Sequence, residues 1–268
     1  MLLTALRQGT TAVRRAGWPA YAVALLAALP DLVPTTEDSA PITVALAPIV
    51  GLVRTVLFLG LIRVLAAHRD EPVPPPPAVD ASGVRVVSSS VVEPAGEDDR
   101  RVRFALRRAA MLGRPALRLF ALSLLGAFGA FALWALLCAA AGLEIKDVGS
   151  RDPVAVVPLT LLTALLFSFI ALADQRVALE GDARVLLAAA HSVRIAGVAF
   201  AAVFGLVLLA SSPSAVGSLL PHDVGALPWQ LLRIVGGAWV QLVALAALNE
   251  VYLAGPRADL VVDAARSA

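Results

Sequence analysis

Between Leu119 and Gly142 the chain runs for 24 residues, "LFALSLLGAFGAFALWALLCAAAG", without one charged side chain. A helix of that length extends about 36 Å, enough to cross the roughly 30 Å hydrocarbon layer of a bilayer. Five further stretches have the same character, so candidate spans cover residues 17–34, 42–67, 116–142, 153–173, 194–212 and 228–254. Composition agrees: 59% of residues are hydrophobic and 16% charged, against about half and about a quarter in soluble domains. The expected fold class is an all-α integral membrane protein with six transmembrane helices in three hairpins. The first span is the weakest, since Pro30 and Asp31 interrupt it. Cleavage of the N-terminal stretch as a signal peptide is not expected, because its pre-apolar region is long and no small-x-small site follows it.

Positive charge orients the threading. Arg7, Arg14 and Arg15 precede the first span, and eight arginines lie between residues 68 and 115. Arg176, Arg184 and Arg194 follow the fourth span, with Arg257 and Arg266 in the tail. That places sixteen basic residues on one side, against Lys146 and Arg151 on the other. The positive-inside rule then puts both termini in the cytoplasm of a cell (inner) membrane. The use of 21 arginines and a single lysine fits a GC-rich, bacterial source. Nucleic acid is not an expected partner, because these arginines flank apolar runs instead of forming a basic face. Cys138 is the lone cysteine, which excludes an internal disulfide or a paired-cysteine metal site.

The chain divides into residues 1–71, with the first hairpin, a Pro/Ser-rich cytoplasmic linker at 72–97, and residues 98–268 with the remaining spans. "PPPP" within the linker favours an extended spacer. Each hairpin is expected to follow a short amphipathic helix on the cytoplasmic membrane surface. In "EDDRRVRFALRRAAMLGRP", Val102, Ala105, Leu106, Ala109 and Met111 alternate with arginines, and Asp98 or Asp99 can cap the start. The stretch "DQRVALEGDARVLLAAAHSVR", residues 174–194, reads the same way. Gly181 breaks the chain there, Asp182 caps, and Val185, Leu186, Ala189, Ala190 and Val193 form the apolar face. Arg103, Arg107, Arg108, Arg184 and Arg194 are the expected contacts to anionic lipid. Arg14, Arg114 and Arg194 fall at one position before the three outward spans, which suggests a three-unit repeat.

Residues 167–200, "FSFIALADQRVALEGDARVLLAAAHSVRIAGVAF", resemble part of a broad prokaryotic family of six-span membrane proteins. That family is related to the membrane domain of glycerophosphoryl diester phosphodiesterases. Val177-Ala178-Leu179-Glu180-Gly181 stands where the family carries a short acidic turn, and Ala190-His191-Ser192-Val193-Arg194 where it carries an Ala/Arg/Ser helix. The resemblance implies a six-span architecture. No hydrolase domain accompanies it, so it implies no catalytic residue.

Arg54 falls about 18 Å into the second span, where an ionised side chain is costly unless paired or wetted. Gln241 and Thr163 are candidate partners at similar depth; the residues serve either as an interhelical anchor or as a site for an anionic group. Asp174, Arg176, Asn249 and Glu250 form a second candidate cluster at the cytoplasmic end, either a salt-bridge ring or an ion site. Arg233 and Asp31 lie near the opposite surface, where pairing or snorkelling accounts for them. His68, His191 and His222 show no metal-ligand spacing, so neither a metal nor a cofactor is expected. Ser168 has no base nearby in sequence and is expected to bond a backbone carbonyl. Small residues four apart, Gly126 with Ala130 and Ala127 with Phe131 and Ala135, point to close helix packing.

No nucleophile–base pair, Gly-x-Ser-x-Gly elbow or phosphate-binding loop occurs. The expectation is a non-enzymatic polytopic membrane protein that organises lipid or a membrane partner, a protein partner or a homo-oligomer included. The alternative is a transporter or permease for a small anionic or lipid-like substrate, using Arg54.

Overall fold

The computed structural model describes residues 1–28, 40–68, 106–107, 112–142, 153–180, 184–219 and 226–254. Seven helices are described: α1 (Leu2–Ala28), α2 (Ala40–Ala67), α3 (Gly113–Ala140), α4 (Pro153–Ser168), α5 (Ala171–Glu180), α6 (Val185–Leu219) and α7 (Ala226–Ala254). Four stretches are long and apolar enough to cross a membrane: Leu46–Ala67, Gly113–Ala140, Val185–Pro213 and Leu231–Ala254. A fifth is possible if Val156–Ser168 and Ala171–Leu179 count as one span bent by 40°. The chain is therefore helical and membrane-embedded. Its apolar outer surface agrees, with Leu125, Phe128 and Leu136 of α3 each about two-thirds exposed.

The residues before the first span form a helix that meets the next one at a kink at Gly17 (φ 66°, ψ −158°), the two together making α1. Only glycine adopts that conformation readily, and Pro19 just beyond it cannot supply a backbone N–H to the new turn. The fourth span does not run straight through to 173 but breaks at Phe169–Ile170, between α4 and α5. The stretch from Asp174 is likewise no surface helix: α5 is central, with Leu172, Ala173, Gln175, Val177 and Ala178 fully buried.

The surface helix expected at 182–194 does not end there but continues past Arg194 in α6, to a kink at Ala199. Its inward face is Val185, Ala188, Ser192, Ile195 and Ala196, while Leu186, Ala190 and Val193 of the expected apolar face point outward. Burial against protein selects small residues for close approach, so the leucine is left for the apolar exterior. Gly181, Asp182, the linker 72–97, Asp31, Lys146, Arg151, His222 and all of 98–105 lie outside the described residues.

The break after α4 has a local cause. Ser168 donates its hydroxyl to Ala164 O at 2.6 Å, as expected from sequence. Beyond it the backbone tightens to three-residue bonds: Phe169 N–H to Leu166 O, Ile170 N–H to Phe167 O and Ala173 N–H to Ile170 O. Leu172 N–H donates instead to Ser192 Oγ of α6, at 3.1 Å. Side-chain oxygens thus take up the backbone bonding that the bend disrupts.

Packing gathers the helices around three inner members. α2, α5 and α7 each contact the other two. One apolar cluster joins α1 (Ala12, Val13, Ala16) to α2 (Leu61, Val64) and α7 (Leu242, Ala246). A second joins α3 (Ala116, Leu119) to α5 (Val177, Ala178) and α2 (Leu59, Ile62), with Val185 and Ala188 of α6. A third joins α6 (Ala199, Val203) to α7 (Leu248, Val251) and Leu172 of α5, with Ala5 of α1.

The tightest crossing is α1 on α7. A Cβ at Gly9 would lie 2.7 Å from Ala247 N and 3.0 Å from Val243 O, so the bare glycine lets two backbones meet. Further along, Tyr21 donates its hydroxyl to Val235 O at 2.6 Å. At a second crossing Leu106 lies where a Cβ on Gly60 of α2 would be. Gly126 of α3 faces Phe167 and Ile170, and Ala130 is fully buried, so that pair packs within the chain. Ala127 and Phe131 are exposed instead.

Candidate functional site: a polar junction between the inner helices

Where α2, α5 and α7 meet, the core turns polar. Asn249 of α7 is buried and donates from Nδ2 to Ile62 O of α2 at 3.1 Å. The next residue of α2, Arg63, donates from Nε to Ala178 O of α5. Two consecutive residues of α2 therefore tie both other inner helices at one level. Each bond between polar groups in this apolar setting contributes about 0.5–1.5 kcal/mol, or up to about 3 kcal/mol where a charge takes part.

Gln175 lies one helical turn before Ala178, on the same face of α5. It is fully buried, and neither Oε1 nor Nε2 has a hydrogen-bond partner among the described residues. Asn249 Oδ1 is in the same state. Leaving a buried polar atom unsatisfied costs about 1–3 kcal/mol, so these three atoms make the junction an unusual place in an otherwise apolar interior.

Of the cytoplasmic-end set expected from sequence, Asn249 lies at the junction. Asn249 and Glu250 are buried, while Asp174 and Arg176 are half-buried on either side of Gln175. The junction lies inside the packed body, between helices. Sequence reading missed Gln175, Arg63 and Ser192. The signal for Gln175 was present in "LADQRVA", where Leu172, Gln175 and Val177–Ala178 keep helical spacing, but the neighbouring charges made the segment read as solvated.

Arg54 is half-buried, its guanidinium 5.5 Å from the centre of the Phe58 ring, a cation–π distance. Gln241 precedes Asn249 by eight residues, as Arg54 precedes Ile62, so both stand about 12 Å along their helices from the junction. Thr163 belongs to α4, which packs chiefly on α6 and α3; α3 in turn contacts α2.

Of the expected lipid contacts, Arg107, Arg184 and Arg194 are exposed, and Arg103 and Arg108 lie outside the described residues. His68 Nδ1 is 2.8 Å from Val64 O, and His191 meets the Tyr252 ring edge-on at 6.1 Å. Among the described residues no three of His, Cys, Asp and Glu come together as a metal site would require.

Comparison with known proteins returns no matching family, no similar characterised protein and no similar solved structure.

Proposed function

We propose that this chain is a non-enzymatic, bacterial inner-membrane protein whose six spans form three related hairpins, and that it gathers anionic lipid around one end. Two sets of buried positions support the repeat. Ala16, Ala116 and Ala196 each follow an exposed arginine by two residues (Arg14, Arg114 and Arg194), and all three alanines are sealed in the core. Val64, Val177 and Val251 occupy the corresponding turn of α2, α5 and α7, and all are buried.

The observation that carries the lipid reading is the outer face of those three arginines. Within about one turn beyond each stands an exposed apolar side chain: Trp18, Leu117 and Val198 at 69%, 54% and 91% exposure. A guanidinium next to a lipid-facing side chain suits a phosphate headgroup at the bilayer boundary. Cytoplasmic termini follow from the same arginine distribution.

Replacing Arg14, Arg114 and Arg194 together by glutamine is expected to weaken anionic phospholipid retention about fivefold at each site, from about 1 kcal/mol per surface arginine. Native mass spectrometry of protein extracted from phosphatidylglycerol-containing nanodiscs measures this. Equal retention by wild type and variant would sink the lipid reading.

The second reading, a transporter, draws on the bent pair α4–α5, since interrupted spans are where transporters place substrates. It predicts that Arg54→Gln abolishes uptake of an anionic substrate into proteoliposomes while leaving the melting temperature within a few degrees. If Arg54→Gln instead melts far below wild type, Arg54 is an anchor over Phe58.

A further inference from the structure

We propose that the junction of α2, α5 and α7 holds a bound water molecule shared by Gln175 and Asn249. The argument starts from hydrogen-bond inventory. Asn249 Nδ2 is identified as the nitrogen by its donation to Ile62 O, which directs Oδ1 to the other side of the amide. Among the described residues that oxygen has no partner, and neither amide atom of Gln175 has one. The orphan set is thus one NH2 group and two carbonyl oxygens, all on side chains almost entirely shielded from solvent.

Position brings the helix turns that carry these two amides to the same stretch of α2. Ile62 and Arg63 are consecutive, and they bond Asn249 and Ala178 respectively. Gln175 sits one turn from Ala178, on the face that α2 meets. Both amides therefore flank a single turn of α2. Under the repeat, Ile62, Gln175 and Asn249 are equivalent positions of the three inner helices, so two of the three inward places carry an amide and the third an apolar side chain.

The chemistry of the set selects the ligand. Water has two hydrogens and two lone pairs, so it can donate to Gln175 Oε1 and Asn249 Oδ1 while accepting from Gln175 Nε2. The charged residues beside these amides in the chain and in the bonded turn are Asp174, Arg176, Glu250 and Arg63. Their formal charges cancel, which favours a neutral guest over a cation. Buried waters of this kind make about three hydrogen bonds, the number available here.

Thermal unfolding in nanodiscs of Gln175→Leu, Asn249→Leu and the double variant provides the test. Each single change is expected to lower the melting temperature by about 3–6 °C, because it leaves the remaining amide unpaired. The double variant should melt no lower than the worse single one, since both changes remove the same bridge. A rise in melting temperature for Gln175→Leu, or strictly additive losses, overturns the proposal. Should the variants fail to fold, the wild type decides: proton-detected solid-state NMR should show a water cross-peak to the Gln175 side-chain amide protons, and its absence overturns the bridge. A melting-temperature increase in sodium or potassium chloride beyond that in choline chloride would identify a cation instead and equally overturn it.

Discussion

Gly9→Leu is expected to lift α1 off α7 and to destabilise the protein by about 3 kcal/mol or more, at the upper end of what overpacking costs. The obstacle is backbone, since a Cβ at this position would meet Ala247 N at 2.7 Å, and a helix backbone cannot rotate out of the way as a side chain can. The loss spreads through Ala5, Ala12 and Ala16, whose burial depends on the same approach. Gly9→Ala should fall between wild type and Gly9→Leu. Thermal unfolding in a mild detergent reads the loss directly, and disulfide trapping of a cysteine pair across the crossing reads the separation. An unchanged melting temperature for Gly9→Leu would mean that the crossing contributes nothing.

Ser192→Ala is the second large effect. The hydroxyl accepts the N–H of Leu172 where the bend between α4 and α5 disrupts the regular helical bonding. Both residues are fully buried, so water cannot take the hydroxyl's place without opening the contact between α5 and α6. An N–H abandoned in apolar surroundings costs about 1–3 kcal/mol. Ser192→Thr retains the oxygen but adds a methyl group to a packed site, and should lose less. Melting temperatures of the two variants, together with hydrogen exchange at Leu172, separate the lost bond from general loosening. If Ser192→Ala exchanges Leu172 N–H no faster than wild type, the hydroxyl is not its acceptor in the folded protein.

These two positions also show what a sequence can and cannot reveal. Apolar runs such as 119–142 predict helices because bilayer thickness imposes a length, and α2, α3, α6 and α7 follow. Exposure at Arg14, Arg114 and Arg194 was legible, since an arginine at the edge of an apolar run keeps its charge out of the packed core. Burial behind those arginines was not legible. Ala5, Gly9 and Ala12 read as ordinary helix, because a small residue suits both a solvated surface and a close crossing, and only the position of α7 distinguishes them. The face of α6 was misassigned for a related reason: in a bilayer the larger apolar side chain has no preference for the protein interior, so Leu186 faces outward and Ala188 inward. The bend after Ser168 lacked the usual signs, with neither glycine nor proline at the break, and its hydroxyl partner lies in a different helix.

The seat for Gly9 is built from Val243 and Ala247 of α7, the last helix in chain order among the described residues. A ribosome adds about 5–20 residues each second, so some 240 residues separate the two in synthesis by roughly 10–50 s. Through that interval the small-residue stripe of α1 has no matching groove, and the earlier spans enter the bilayer before it finds one. Insertion and assembly are therefore distinct events in time. The seat for α1 exists only once α7 emerges, and a stall before that point leaves the glycine face of α1 open to whatever helix passes.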